Sequence, residues 1–228
     1  KIEGVTGEKQ IFEAFRNIIK QRYEAMDAPL RKVLNNAAVL GRRFSRNLLM
    51  KQLNKDKSDK EDKFFSVNIN KIIRQLQEIH HLIKERDFDI EFVHEHVHEI
   101  IYDQIDKGLR VELHQYVADL LEKQDNHALH CKELAYHCEK AGNHQKTLDY
   151  LEKSVKIYEN SLSYAEAINS IERVLKIVDR DRTLRDENWR FYINRDLSRL
   201  HWLNGDVDRA IEIDQKSIER GIALKLYR

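Results

Sequence analysis

The chain has 228 residues, room for one large domain or two small ones, and at 35% charged and 41% hydrophobic it is too apolar for a disordered chain. A net charge of +1 excludes a global field that would draw in nucleic acid or an anionic membrane surface. One proline and seven glycines, with abundant Leu, Ile, Glu and Lys, favour a mainly α-helical fold.

The elements follow in chain order. Residues 8–23 carry apolar side chains at Ile11, Phe12, Phe15, Ile18, Ile19 and Tyr23, a helical spacing. Asp27 before Pro29 predicts a capped start for a second helix, with Leu30, Val33, Leu34, Ala37 and Ala38 inward and Gly41 as its stop. Ser45 predicts the cap of a third helix bearing Leu48, Leu49 and Leu53. NKDKSDKEDK (54–63) reads as a solvated loop. Asn68–His80 reads as a helix with Ile69, Ile72, Ile73, Leu76 and Ile79 inward, and His80 and His81 on different faces. Leu82–Arg86 and Ile90–Val93 then predict two strands around the tight turn Asp87-Phe88-Asp89. Three helices followed by a two-stranded wing is the order of a winged-helix domain.

A further helix is expected at His94–Ile105, broken at Gly108, and another with the stripe Leu109, Leu113, Val117, Leu120 and Leu121. From Leu129 the pattern becomes helical hairpins. AGNHQKTLDYLEKSVKI, NSLSYAEAINSIERVLKI and LNGDVDRAIEIDQKSIERG each have a polar turn, then Thr or Ala, then apolar residues at helical spacing. Such segments predict irregular tetratricopeptide-like α-hairpin repeats. The expected division is a winged-helix domain with a leading helix over 1–108 and the repeats over 109–228.

His94-Glu95-His96-Val97-His98 is a literal H-E-x-x-H, which on a helix can hold zinc with the glutamate as general base. Against a metalloprotease stand the missing metzincin continuation (Ile101 and Gln104 in place of Gly and His) and the absence of a motif around Glu112 or Glu122. His94 also follows a strand directly. The other histidines, among them His114, His127, His137 and His201, read mostly as surface or boundary residues. No metal site and no catalytic residue is expected.

No G-x-x-x-x-G-K-[ST] loop is present, so hydrolysis of a nucleoside triphosphate by that route is not expected here. Cys131 and Cys138 lie seven apart in one expected helix, about 10 Å, too far for a disulfide. Buried thiols of a reducing compartment are expected. Without an 18-residue apolar run or a readable signal peptide, no membrane contact and a cytoplasmic location are expected. A start at Lys1 suggests a segment of a longer protein. Asn70, Lys71, Arg74, Gln75 and Gln77 before the wing could face DNA, but Glu78, Asp87 and Asp89 would repel phosphate, so nucleic acid is not the expected partner.

APLRKVLNNAAVLGRRFSRNLL (28–49) and IEFVHEHVHEIIYDQIDKGLRVELHQYVADLLE (90–122) resemble the winged-helix part of STAND-type AAA ATPases. The family pattern corresponds here to Ala37, Ala38, Val39, Gly41 and Phe44; Phe92 and His94; Glu99 and Tyr102; Arg110, Leu113, His114 and Ala118. ELAYHCEKAGNHQKTLDYLEKSV (133–155) resembles the first helical repeat that follows. The family includes soluble adenylyl cyclases and LuxR-type transcription regulators. The resemblance implies a non-catalytic regulatory and scaffolding segment of a larger signalling ATPase, most like an adenylyl cyclase. The ATPase, with its ATP or ADP, would lie upstream and act as a partner in cis, and the repeats would bind a protein. It further implies that His94 faces the nucleotide phosphates, where a helix start supplies partial positive charge. A transcription regulator is the alternative, and a zinc metalloprotease acting through His94-Glu95-x-x-His98 a minor one.

Overall fold

The computed structural model describes residues 3–54, 62–87, 89–124 and 130–223. Residues 55–61 of the loop expected over 54–63, the turn residue Phe88, His127 and the expected array start at Leu129 lie outside the described residues, while Asp62 and Lys63 open a helix rather than close the loop. The fold is mainly helical: eleven helices and one small antiparallel sheet among the described residues. The chain divides into two compact units, 1–120 and 121–228, against an expected division at 108/109.

Unit 1 is built around α2 (Ala28–Leu40). Asp27 caps it by accepting the Leu30 N–H at 3.0 Å, Pro29 sits in its first turn, and Gly41 ends it at φ 116°, a conformation open to glycine. Nearly every side chain from Val33 to Leu40 is buried, because α2 meets α3 (Arg46–Leu53), α4 (Asp62–Glu78) and α5 (Glu95–Gln104) on different sides. Each fully buried residue such as Leu34 or Val39 is worth roughly 1.5–3 kcal/mol of burial. α1 (Glu3–Glu24) packs on α5. Of its expected apolar face, Ile19 and Tyr23 are buried, whereas Ile11 and Ile18 face solvent.

The expected hairpin forms as β2 (Ile83–Arg86) and β3 (Asp89–Phe92), but the sheet has a third strand. β1 (Arg43–Ser45) pairs with β3, giving the order β1-β3-β2 with Phe44 opposite Ile90 and Glu85 opposite Ile90 on the other side. Three residues are too few to read as a strand from periodicity, and Ser45 serves both as its end and as the cap of α3.

Other expectations fail at helix ends. α4 stops at Glu78, so Ile79 is 66% exposed rather than inward. His80 and His81 lie beyond the helix, His81 with φ 51°, and the Leu82 N–H closes the turn on the Leu76 carbonyl at 3.0 Å. Gly108 does not break a helix. It sits in the first turn of α6 (Lys107–Glu122), where its N–H and that of Leu109 donate to the Asp106 carboxylate at 2.8 and 3.2 Å. The buried stripe of α6 is His114, Val117, Ala118 and Leu121: Val117 and Leu121 are buried as expected, Leu113 and Leu120 are only partly buried, and Leu109 is exposed.

Unit 2 holds α7 (Cys131–Lys140), α8 (His144–Asn160), α9 (Tyr164–Arg180), α10 (Glu187–Leu203) and α11 (Val207–Ala223). The three look-alike segments begin at three turns of one geometry. Gly142, Leu162 and Gly205 have φ of 78°, 56° and 86°. In each turn the following N–H reaches back five residues: Asn143 to Cys138 at 2.9 Å, Ser163 to Tyr158 at 2.8 Å, Asp206 to His201 at 2.9 Å. Five residues after each left-handed residue comes a small buried one: Thr147, Ala167 and Ala210. Small hydroxyls mark the helix crossings too, with Ser154 donating to Ser170 at 3.1 Å and Ser198 to the Ala210 carbonyl at 3.1 Å.

Ion pairs strap these helices from outside. Arg173 of α9 reaches Glu139 of α7 at 2.6 Å, Arg199 of α10 reaches Glu159 of α8, and Arg220 of α11 reaches Glu187 of α10. Arg185, half-buried over the Trp189 ring, holds Asp149 and Glu152 of α8 at 3.3 and 3.2 Å. Cys131 and Cys138 are both buried in α7. Burial pushes the Cys131 thiol up, away from the thiolate. No described helix is long and apolar enough to cross a membrane.

Candidate functional site

The H-E-x-x-H stretch begins where β3 ends. The Phe92 N–H donates to the Arg42 carbonyl at 2.9 Å and the Val93 N–H to the Leu82 carbonyl at 3.0 Å, which fixes the strand end between its neighbours. The chain then enters α5 with His94 as its N-cap, at φ −141° and ψ 151°. Asp27 and Ser45 spend their side chains on capping; His94 makes no such bond, and it is exposed. Its ring stands at a helix N-terminus, where backbone N–H groups and the helix dipole favour an anion.

The other motif residues are each engaged elsewhere. Glu95 pairs with Arg42 at 3.7 Å. His96 stands edge-on to Phe12 at 5.0 Å and bonds Glu99 at 3.1 Å. His98 Nε2 lies 2.9 Å from the Ala38 carbonyl, and since a carbonyl only accepts, that nitrogen carries the hydrogen. Among the described residues no three His, Cys, Asp or Glu side chains form a metal-holding group. Of the two glutamates open to a third-ligand role, Glu112 is exposed. Glu122 accepts from Lys146 at 2.8 and 2.9 Å and from Tyr150 at 2.8 Å. Burial raises the Glu122 carboxyl, but these two donors outweigh it and hold it below its ordinary value.

His98 is instead one member of a continuous column of rings. Phe44 of β1 and Phe92 of β3 are 6.2 Å apart between centroids, Phe92 and His98 5.2 Å, His98 and Tyr102 6.1 Å, Tyr102 and His114 5.8 Å. The column runs from the sheet along α5 to α6. At its far end the Tyr102 hydroxyl and His114 Nε2 are hydrogen-bonded at 2.9 Å, and the Arg110 guanidinium lies 5.1 Å over the Tyr102 ring. Burial pushes the Tyr102 phenol up, partly offset by Arg110. The structure thus joins Tyr102, Arg110 and His114, three residues of the sequence motif, and places His114 at zero exposure rather than at a boundary. His98 is the member of the column that the sequence does not announce. Its signal is the four-residue step from His94 through His98 to Tyr102.

The outward face of the sheet is a ladder of opposite charges. Glu91 on the central strand is approached by Lys84 at 3.0 Å and Arg86 at 3.7 Å, and Arg43 holds Asp89 at 2.8 Å; Glu85, in register with Ile90 on the other face, is held by Arg46 of α3. The hydrogen bond from Lys84 keeps Glu91 ionised below the usual carboxylate range. On α4, Asn70 accepts from Arg46 at 2.7 Å and Arg74 lies 3.8 Å from Glu78. A phosphate backbone would have to displace a carboxylate from each of these cations, at a cost in the counterion-release term that drives such binding.

In unit 2 a groove of about 260 Å³ lies between α7, α8 and α9, lined by Lys132, Tyr158, Glu166, Asn169, Ser170 and Arg173. It offers both charges, an amide and one aromatic edge, a mixture suited to a peptide backbone and polar side chains. No family model matches the chain, and neither a curated protein nor a solved structure matches it.

Proposed function

We propose that the chain is a non-catalytic regulatory and scaffolding segment of a larger cytoplasmic signalling ATPase of the adenylyl cyclase type. In this reading unit 1 is a winged-helix module whose wing is β2–β3, and unit 2 is a tetratricopeptide-like array that binds a protein through the α7–α9 groove. An upstream ATPase supplies the ATP or ADP. His94 meets its phosphates, and α6, continuous in sequence with unit 2, carries the change onward.

The observation that carries the reading is the pairing of an uncommitted ring with a committed column. His94 caps α5 without a side-chain hydrogen bond, while four residues on His98 anchors the same helix to α2 and takes part in the ring contacts that end at His114 of α6. A ligand on His94 would act on the start of a helix whose packing is shared by the sheet, α2 and α6. Coupling of this kind needs two discrete arrangements of the helix. The repeated turns at Gly142, Leu162 and Gly205 support the repeat array.

The transcript upstream of Lys1 tests it first. A Walker A loop, preceded by cyclase domains, is the expected result; a start codon immediately upstream with no ATPase would overturn the reading. In that longer protein His94→Ala should flatten the difference between the affinities of the ATPase domain for ATP and for ADP. An unchanged difference would remove His94 as a sensor.

A further inference from the structure

Residues 181–186 connect α9 to α10 as irregular backbone. Arg185 fastens the far end of this connection to α8. Its guanidinium lies over the Trp189 ring and reaches Gln145 at 3.1 Å, Asp149 at 3.3 Å and Glu152 at 3.2 Å, with the side chain only 16% exposed. Two residues earlier, Thr183 is exposed. Its hydroxyl donates to the Asp181 carboxylate at 2.6 Å and its N–H to the same oxygen at 3.1 Å, and the Leu184 N–H closes the turn on the Asp181 carbonyl at 3.3 Å.

The charges flanking Thr183 differ in their commitments. The acids are engaged: Asp179 by Arg190, Asp181 by Thr183 itself, Asp186 by the Trp189 N–H that it caps, and Glu187 by Arg220. Arg180 and Arg182, three residues and one residue before Thr183, are exposed and have no ion-pair partner among the described residues. Arg180 is the last residue of α9, so it alone of the stretch 180–184 is helical. A protein kinase binds its target as an extended segment, and carboxylates in its groove read arginines ahead of the hydroxyl. Two serines also follow arginines. Ser45 comes after Arg42 and Arg43, but those are held by Glu95 and Asp89, and Ser45 is paired with β3 and caps α3. Ser198, three residues after Arg195, is buried. Thr183 joins an exposed hydroxyl, irregular backbone and uncommitted arginines.

We propose that Thr183 is a phosphorylation site for an arginine-directed protein kinase, and that the phosphate opens the turn that Asp181 closes. The γ-phosphoryl group of ATP passes to Thr183 Oγ1: the β–γ anhydride bond breaks, the new P–O bond forms, ADP leaves, and the hydroxyl proton goes to the kinase's base. Thr183 then has no hydroxyl hydrogen to give Asp181, and a near-dianion stands beside that carboxylate. Like charges so placed repel, so the side chain has to leave Asp181, and the uncommitted Arg182 is the neighbouring cation open to it. Arg185 keeps the far end of the connection on α8, which confines the opening to 181–184. The site is independent of the scaffold reading and of the α7–α9 groove.

The test incubates the whole folded chain with ATP and calcium/calmodulin-dependent kinase II, which reads arginine three residues before the hydroxyl. Casein kinase 2, which reads acids after it, runs in parallel. Mass spectrometry of the digested products should place phosphate on Thr183 with the first kinase and not with the second. Arg180→Ala should slow incorporation by about tenfold or more, and Thr183→Ser should retain it. Both positions are exposed, so circular dichroism should match across the variants. Phosphate on Ser45 in place of Thr183, on Thr183 with the acid-directed kinase alone, or on neither residue would overturn the site. The phosphorylated chain should also melt at a lower temperature than the unmodified one, and Asp181→Asn should shrink that gap. A gap that Asp181→Asn leaves unchanged would overturn the opening of the turn.

Discussion

The hydroxyl of Tyr102 and the Nε2 of His114 meet at 2.9 Å, and they tie α5 to α6 at a point where the His114 ring is wholly enclosed. Tyr102→Phe removes that bond while keeping the ring contact, and should cost about 1–2 kcal/mol of unfolding free energy. His114→Ala should cost more, about 2–4 kcal/mol, since it also opens a cavity beside Val117 and Ala118. Urea unfolding of the single and double variants gives the coupling directly. Additive losses would mean that the two rings are neighbours and not partners.

His94 and His98 should separate in stability as they do in geometry. His94→Ala, at an exposed ring without a capping bond, should change unfolding free energy by less than about 0.5 kcal/mol. His98→Ala removes the donor to the Ala38 carbonyl and the packing on Phe92, and should cost about 2–3 kcal/mol. Thermal melts of the two proteins check this. A destabilised His94→Ala would make His94 a packing residue.

His137 is buried in α7, and that burial lowers its imidazole from 6.5 to about 4. In the unfolded chain the ring protonates near pH 6.5. Its contribution to stability is therefore complete above that pH and is lost as pH falls from 6.5 toward 4, by at most about 3 kcal/mol. His137→Leu should remove this slope, so denaturation midpoints of the two proteins should converge in shape above pH 7 and diverge below 6.5. Parallel curves across that window would show that the ring protonates without cost in the fold.

The three repeat turns offer an internal control. Leu162 takes a left-handed φ that glycine occupies at 142 and 205, and its side chain is 71% exposed. Leu162→Gly should therefore stabilise the chain by about 1 kcal/mol, and Gly142→Ala and Gly205→Ala should each destabilise it by a similar amount. No added methyl meets another atom at either glycine, so only the backbone conformation is being measured. Melting temperatures moving in the opposite sense would sink the shared geometry.

Helix caps and stops were readable where the residue type itself performs them: Asp27 and Ser45 through side-chain oxygens, Gly41 through its positive φ. Gly108 misled because a glycine in a helix's first turn looks the same in sequence as one past its last. The decision was made by Asp106, whose carboxylate takes two N–H groups. The α6 stripe kept Val117 and Leu121 but gained His114, because a histidine paired with Tyr102 occupies a core position that hydropathy does not assign to it. β1 was invisible because its pairing partner lies some forty-five residues away. His94 at a strand-to-helix junction was legible. The column of rings was not, since it joins four elements and only the step from 98 to 102 is local.

The sheet is only three strands wide, and both outer strands are short, three residues in β1 and four in β2. Each carries cations, Arg43 on one side and Lys84 and Arg86 on the other, held in place by carboxylates of β3. An incoming strand would have to bring its backbone alongside these fixed charges. The ladder therefore acts as a guard against edge-to-edge polymerisation, keeping the exposed hydrogen-bonding groups of β1 and β2 from recruiting further chains when the protein is concentrated.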